Sequence, residues 1–184
     1  MTEARRIPRG YAGAVDAAPA GVRGGQYVAV PQADEVVVFL IGMRINRWRR
    51  VRSWLAPFLA MPRMLRELAG ADRGLLGART YFSGRVFLVV QYWRSAAELG
   101  EYARDSSMSH APAWGAFNSR GASRGDVAIF HETYVVPSSN IESLYANAPE
   151  LGLAAAVGSR PRADYRRTAA NEHLRTTEPE YSTA

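Results

Sequence analysis

Val86 to Trp93 carries apolar side chains on both of its faces, Val86/Leu88/Val90/Tyr92 on one and Phe87/Val89/Gln91/Trp93 on the other. Such a strand has something to bury on each side and belongs in the interior of a sheet. Glu35 to Asn46 repeats the pattern, with Val37, Phe39, Ile41, Met43 and Ile45 opposed to Val36, Val38, Leu40, Gly42, Arg44 and Asn46. Its second face turns polar at the end. That end either lines a cavity with polar groups at its mouth or simply reaches solvent.

Between and around these strands the pattern changes period. Trp48, Val51, Leu55, Phe58, Pro62, Leu65 and Ala69 follow steps of three and four, the spacing of one helical stripe. Pro57 and Pro62 each remove an amide donor, so a kink or two shorter helices are expected there. Arg47, Arg49, Arg50 and Arg52 ring the start of this helix, the unfavourable end for positive charge, where they form either an anion-attracting cluster or a solvated face. Leu75 to Ser83 reads as a second strand, turning through Ser83-Gly84 into the strand at Val86. Ser95-Ala96-Ala97-Glu98 has capping-box spacing and starts a second helix. A further helical segment from Ser109 places His110, Trp114 and Phe117 on one stripe. Asp126 to Val136 is the last strand of the set, and Ile141 to Leu153 reads as a short lid.

The order strand, helix, strand, strand, helix, strand predicts an α+β chain: a ferredoxin-like βαββαβ sandwich with both helices on one sheet face. The strands are apolar on both sides, so the other face needs a cover, and a second copy of the sheet supplies one. A dimeric α/β barrel follows, with a ligand pocket in each subunit between sheet and helices. The expected organisation is a flexible arm over residues 1–34, in which Gln26 to Val30 can add a short edge strand, the barrel domain over 35–154 and a disordered tail over 155–184.

Composition narrows the chemistry. With no cysteine among 184 residues, thiolate ligands, zinc fingers, iron–sulfur clusters, disulfides and cysteine nucleophiles are excluded. All 23 Lys+Arg positions are arginine, which removes lysine bases and Schiff-base chemistry. The net charge of +6 is spread over both tails and one helix face, and reads as solubility in place of nucleic-acid binding. Neither a signal peptide nor a membrane span is legible, so a cytoplasmic protein is expected. No metal site is expected either.

Several blocks resemble one family: Phe39-Leu40-Ile41-Gly42-Met43-Arg44-Ile45-Asn46, Met61-Pro62-Arg63-Met64, Gly74-Leu75-Leu76-Gly77, Gln91-Tyr92-Trp93-Arg94-Ser95, His110-Ala111-Pro112-Ala113-Trp114 with Phe117-Asn118, and His131-Glu132-Thr133-Tyr134. It is a family of monooxygenases similar to the fumagillin-pathway enzyme, within the dimeric α/β-barrel superfamily, and the resemblance covers Val36 to Leu153. The superfamily includes cofactor-free antibiotic-biosynthesis monooxygenases, haem-degrading monooxygenases and haem-dependent aldoxime dehydratases. The resemblance implies a homodimeric monooxygenase that uses O2 on a hydrophobic, aromatic or polyketide-like small molecule, without a cofactor. By that analogy Trp93, Asn46 and Arg44 bind substrate oxygens and stabilise an enolate-like anion.

His110 is the expected general base, removing a proton from a phenol or enol carbon acid. Trp93 and Trp114 are expected to wall the substrate. His131 and Glu132 point to opposite faces, and Tyr134, on the face of Glu132, is a candidate donor to a substrate oxygen. Two alternatives stay open: a haem enzyme with His110 or His131 as axial ligand, and a non-catalytic binder of a hydrophobic metabolite.

Overall fold

β2 (Glu35–Ile45) is hydrogen-bonded on both sides along most of its length, antiparallel to β4 (Val86–Trp93) on one side and to β5 (Val127–Pro137) on the other. β3 (Leu75–Ser83) completes the sheet beside β4, giving the order β3-β4-β2-β5. The computed structural model describes residues 19–105 and 124–162. Within them α1 (Val51–Ala69) joins β2 to β3 and α2 (Ala96–Arg104) follows β4. This is the ferredoxin-like α+β arrangement that the alternation of periods implies.

The ladder fixes which residues share a face. Val37, Phe39, Ile41, Met43 and Ile45 of β2 lie beside Trp93, Gln91, Val89 and Phe87 of β4, and both described helices pack on this inner face. At one end Val37, Trp93, Leu68 of α1 and Leu99 of α2 form a buried cluster, with Phe39, Leu75 and Tyr102 against it. At the other end Met43, Ile45 and Val127 are covered by Trp54 and Phe58 of α1 and by Phe87. The opposite, outer face carries Val38, Leu40, Leu88, Val90, Phe130 and Tyr134, with Phe130 39% and Tyr134 49% exposed. Gly42 is required there, because a Cβ would meet the Phe130 ring at 2.1 Å.

α1 departs from expectation in two respects. It runs unbroken for 19 residues through both Pro57 and Pro62, since packing at Trp54, Phe58 and Leu68 anchors it before, between and after the missing amides. Its buried stripe keeps Phe58 as expected but is otherwise rotated: Trp54 and Leu68 face the sheet with it, whereas Val51 and Leu55 are exposed and Trp48 precedes the helix. α2 starts as the capping box predicts, with the Glu98 amide donating to Ser95 Oγ at 3.2 Å. The Glu98 side chain lies against Gly74, whose φ of +87° suits glycine.

A second unit is assembled from residues 19–30 and 139–162. The expected arm therefore holds a strand, β1 (Arg23–Ala29), flanked by β6 (Tyr145–Ala148) and β7 (Ser159–Pro161). The larger compact unit ends at Ser138, and the stretch read as a lid supplies β6 and the start of α3 (Gly152–Val157). Beyond residue 154 the chain is still ordered through β7, because β1 pairs with it from Tyr27–Pro161 to Ala29–Ser159. Tyr27 stacks on Tyr145 at 5.0 Å and donates its hydroxyl to the carbonyls of Ala148 and Pro149. No helix among the described residues is long and apolar enough to cross a membrane.

Leu68 is 1% exposed at the meeting point of α1, β2, β4 and α2. Leu68→Ala is expected to cost about 2–5 kcal/mol, read by urea denaturation at constant m-value.

Candidate active site

A cavity of about 120 Å³ lies between α1 and the inner sheet face. α1 contributes Phe58 and Met61 with the two prolines, and the sheet contributes Met43, Thr80, Phe82, Phe87 and Val89. Phe87 is the centre of an aromatic corner, edge-on to Phe58 at 4.9 Å and to Phe82 at 5.2 Å. The two methionines add polarizable, adaptable walls, and the Thr80 hydroxyl brings a polar group to the lining. A dry apolar cavity of about 150 Å³ is enough to take benzene. This one suits a single ring or a short apolar chain.

At the same end of the sheet a buried carboxylate ties β5 to α1. Asp126, 1% exposed, accepts from Ser53 Oγ at 2.9 Å and from Arg47 Nη1 at 2.9 Å. Its backbone carbonyl receives the amides of Asn46 and Arg47. Desolvation alone would raise this carboxyl, but the hydrogen bonds from Ser53 and Arg47 and the charges of Arg47 and Arg50 bring it below the usual aspartate value. The first turn of α1 holds no acidic residue, so Asp126 supplies from another strand the negative charge that the arginine-rich helix start lacks.

Among the described residues, those singled out from the sequence do not converge on the cavity. Arg44 is exposed on the outer face, where it donates to Asn46 Oδ1, and Asn46 donates to the Gly125 carbonyl at 3.0 Å. Trp93 is on the inner face at the opposite end of β2: it pairs with Val37, whereas Arg44 pairs with Val86. Seven residues of strand separate these two positions, about 23 Å. The expected oxygen-binding set of Arg44, Asn46 and Trp93 is therefore not assembled. Trp93 is fully buried and packs on Tyr102, so it is a core residue and not a cavity wall.

Tyr134 and Glu132 share the outer face as expected, and the Tyr134 hydroxyl donates to Glu132 Oε2 at 2.6 Å. That bond, the Glu132 charge and partial desolvation raise the phenol above its ordinary value. His131 is on the inner face, 5.9 Å from the Phe39 ring, but does not line the cavity. His110 and Trp114 lie outside the described residues. Of the two candidate haem ligands, His131 stands apart from the cavity and His110 lies outside the described residues. No group of three or more His, Asp or Glu among the described residues could hold a metal ion.

Gln91 was not singled out from the sequence. It is 5% exposed on the inner face, next to Val89, and accepts the Trp93 indole N–H on Oε1 at 2.9 Å. A glutamine in the apolar alternation Phe87/Val89/Gln91/Trp93 was the available signal.

The antiparallel sheet, its helical cover and the cavity beneath α1 define an α+β protein of the ferredoxin-like fold. The chain belongs to the Monooxygenase af470-like family, whose profile matches residues 36–153. Solved structures with a similar fold include SnoaB, a cofactor-independent oxygenase from Streptomyces nogalater, at 12% identity, covering 55% of this chain and 92% of that one, with a TM-score of 0.40. A protein of unknown function from Bacteroides thetaiotaomicron aligns at 16% identity over 56% of this chain and 99% of its own, with a TM-score of 0.39. An aldoxime dehydratase in complex with butyraldoxime aligns at 10% identity over 72% of this chain and 41% of its own, with a TM-score of 0.45. No curated protein sequence matches the chain.

Because the Asp126 carboxyl is lowered in the folded state, its contribution is complete above the unfolded value near 3.8 and is lost as pH falls through the folded one. Asp126→Asn is expected to lower Tm at pH 7, with the gap to the parent protein closing below about pH 4.

Proposed function

We propose that this chain is a cofactor-independent monooxygenase of a small hydrophobic molecule, aromatic or polyketide-like, one ring or short apolar portion of which enters the cavity under α1. The observation that carries this reading is the cavity itself, lined by Phe58, Phe82 and Phe87 in a chain of a monooxygenase family. His110 acts as the base. It removes a proton from an activated C–H, and the resulting carbanion passes one electron to O2. Recombination of the substrate radical with superoxide forms the C–O bond of a peroxide. Protonation and loss of water then leave a C=O, so one oxygen atom stays in the product and the other departs in water.

The apolar outer face supports a homodimer. Leu40, Leu88, Val90 and Phe130 cover that side of β2, β4 and β5, and a second sheet is the economical partner for them. Val90→Asp is expected to convert the dimer to monomer in sedimentation velocity. A parent protein that sediments as a monomer removes this assembly.

Oxygen uptake with a panel of phenols and anthrones tests the reaction. Turnover is expected with one atom of 18O2 in the product, and His110→Ala is expected to lower kcat by at least about 100-fold. Full activity in that variant removes His110 from the role of base. A stoichiometric Soret band on adding haem, lost in His110→Ala or His131→Ala, overturns the cofactor-independent mechanism.

A further inference from the structure

The Trp93 indole nitrogen can only donate, so the carboxamide of Gln91 must turn its oxygen toward it. The orientation of the amide is thereby fixed, and its NH2 group is left on the other branch. Gln91 is 5% exposed, and among the described residues that NH2 has no hydrogen-bond partner. Leaving a buried amide donor unmet costs stability, and such groups are few in folded proteins. Two apolar side chains of matching shape at positions 91 and 93 would avoid that cost.

The position suits a ligand. Gln91 does not itself line the cavity; it stands one step beyond it, two residues from the lining residue Val89 on the same strand face. Across the ladder Gln91 is flanked by Ala78 of β3 and Phe39 of β2, neither of which offers a side-chain acceptor. A molecule whose apolar end fills the space beside Phe87 can place an oxygen at the next step along the inner face. Trp93 is then a positioning residue, holding the amide in one orientation.

We infer that Gln91 is the donor that binds an oxygen acceptor of the substrate, a carbonyl or the enolate or phenolate oxygen derived from it, with Trp93 setting its orientation. The inference rests on the proposal that the cavity holds the substrate. It narrows the substrate to molecules bearing an oxygen acceptor next to an apolar ring or chain. The same N–H group would strengthen its bond as negative charge develops on that oxygen.

Acetophenone and α-methylstyrene have nearly the same shape and differ in bearing C=O or C=CH2. Their affinities are measured by ligand-detected NMR titration of the full chain, and of the Gln91→Met and Gln91→Met/Trp93→Phe variants. The single variant orphans the indole N–H, whereas the double variant removes both partners and leaves no polar group unmet; the folding of each is checked by circular dichroism before titration. The ratio of acetophenone to α-methylstyrene affinity is expected to fall about 10-fold in both variants, with α-methylstyrene binding unchanged. A ratio unchanged in the double variant overturns the role of Gln91 while leaving the cavity as the ligand site. Failure of both compounds to bind the parent protein overturns the cavity reading, and the assignment of Gln91 falls with it.

Discussion

Everything in the larger unit is placed by the pairing of β2 on both of its edges. Because its neighbours run antiparallel and in register from Val37 to Arg44 on one side and from Glu35 to Ile45 on the other, each inner position is committed to one row of the sheet. A slip of one residue would send Met43 and Val37 to the outer face and bring Arg44 into the core. The row containing Met43 and Phe87 then determines where α1 can leave a space, and the row containing Val37 and Trp93 is where α1 and α2 close it.

The core of the fold was legible because its signals are local. Alternation in Val86 to Trp93 and in Glu35 to Ile45 identifies central strands, and the Ser95/Glu98 spacing marks the start of α2 to the residue. The rotation of α1 was not legible. Trp48, Val51 and Leu55 lead into Phe58 at helical spacing just as Trp54 does, and only contact with the sheet selects which of them it is buried with. β1 was legible only in part: Gln26 to Val30 reads as a short edge strand, but its partners, more than 100 residues away, make it the middle strand of three and extend it back to Arg23.

The site was less legible than the fold, since spacing along a strand says which face a residue takes but not which residues meet. Arg44 and Trp93 belong to paired strands, yet the antiparallel register puts them at opposite ends and on opposite faces. The arginines at the start of α1 looked unfavourable because the helix has no acid of its own there. Their compensation comes from Asp126, distant in sequence and buried among Arg47 and Ser53. Gln91 was hidden in an apolar run, where a single polar letter reads as an exception and not as a feature.

The long reach of β1 also bears on how the chain is made. Tyr27 emerges from the ribosome well ahead of the carbonyl of Pro149 that receives its hydroxyl, which lies 122 residues later. The sheet of β2 to β5 can be complete by Ser138, while β1 still lacks both of its neighbours. During that interval both edges of β1 lack their partners, and Arg23 is the one charge the strand carries against pairing with another chain.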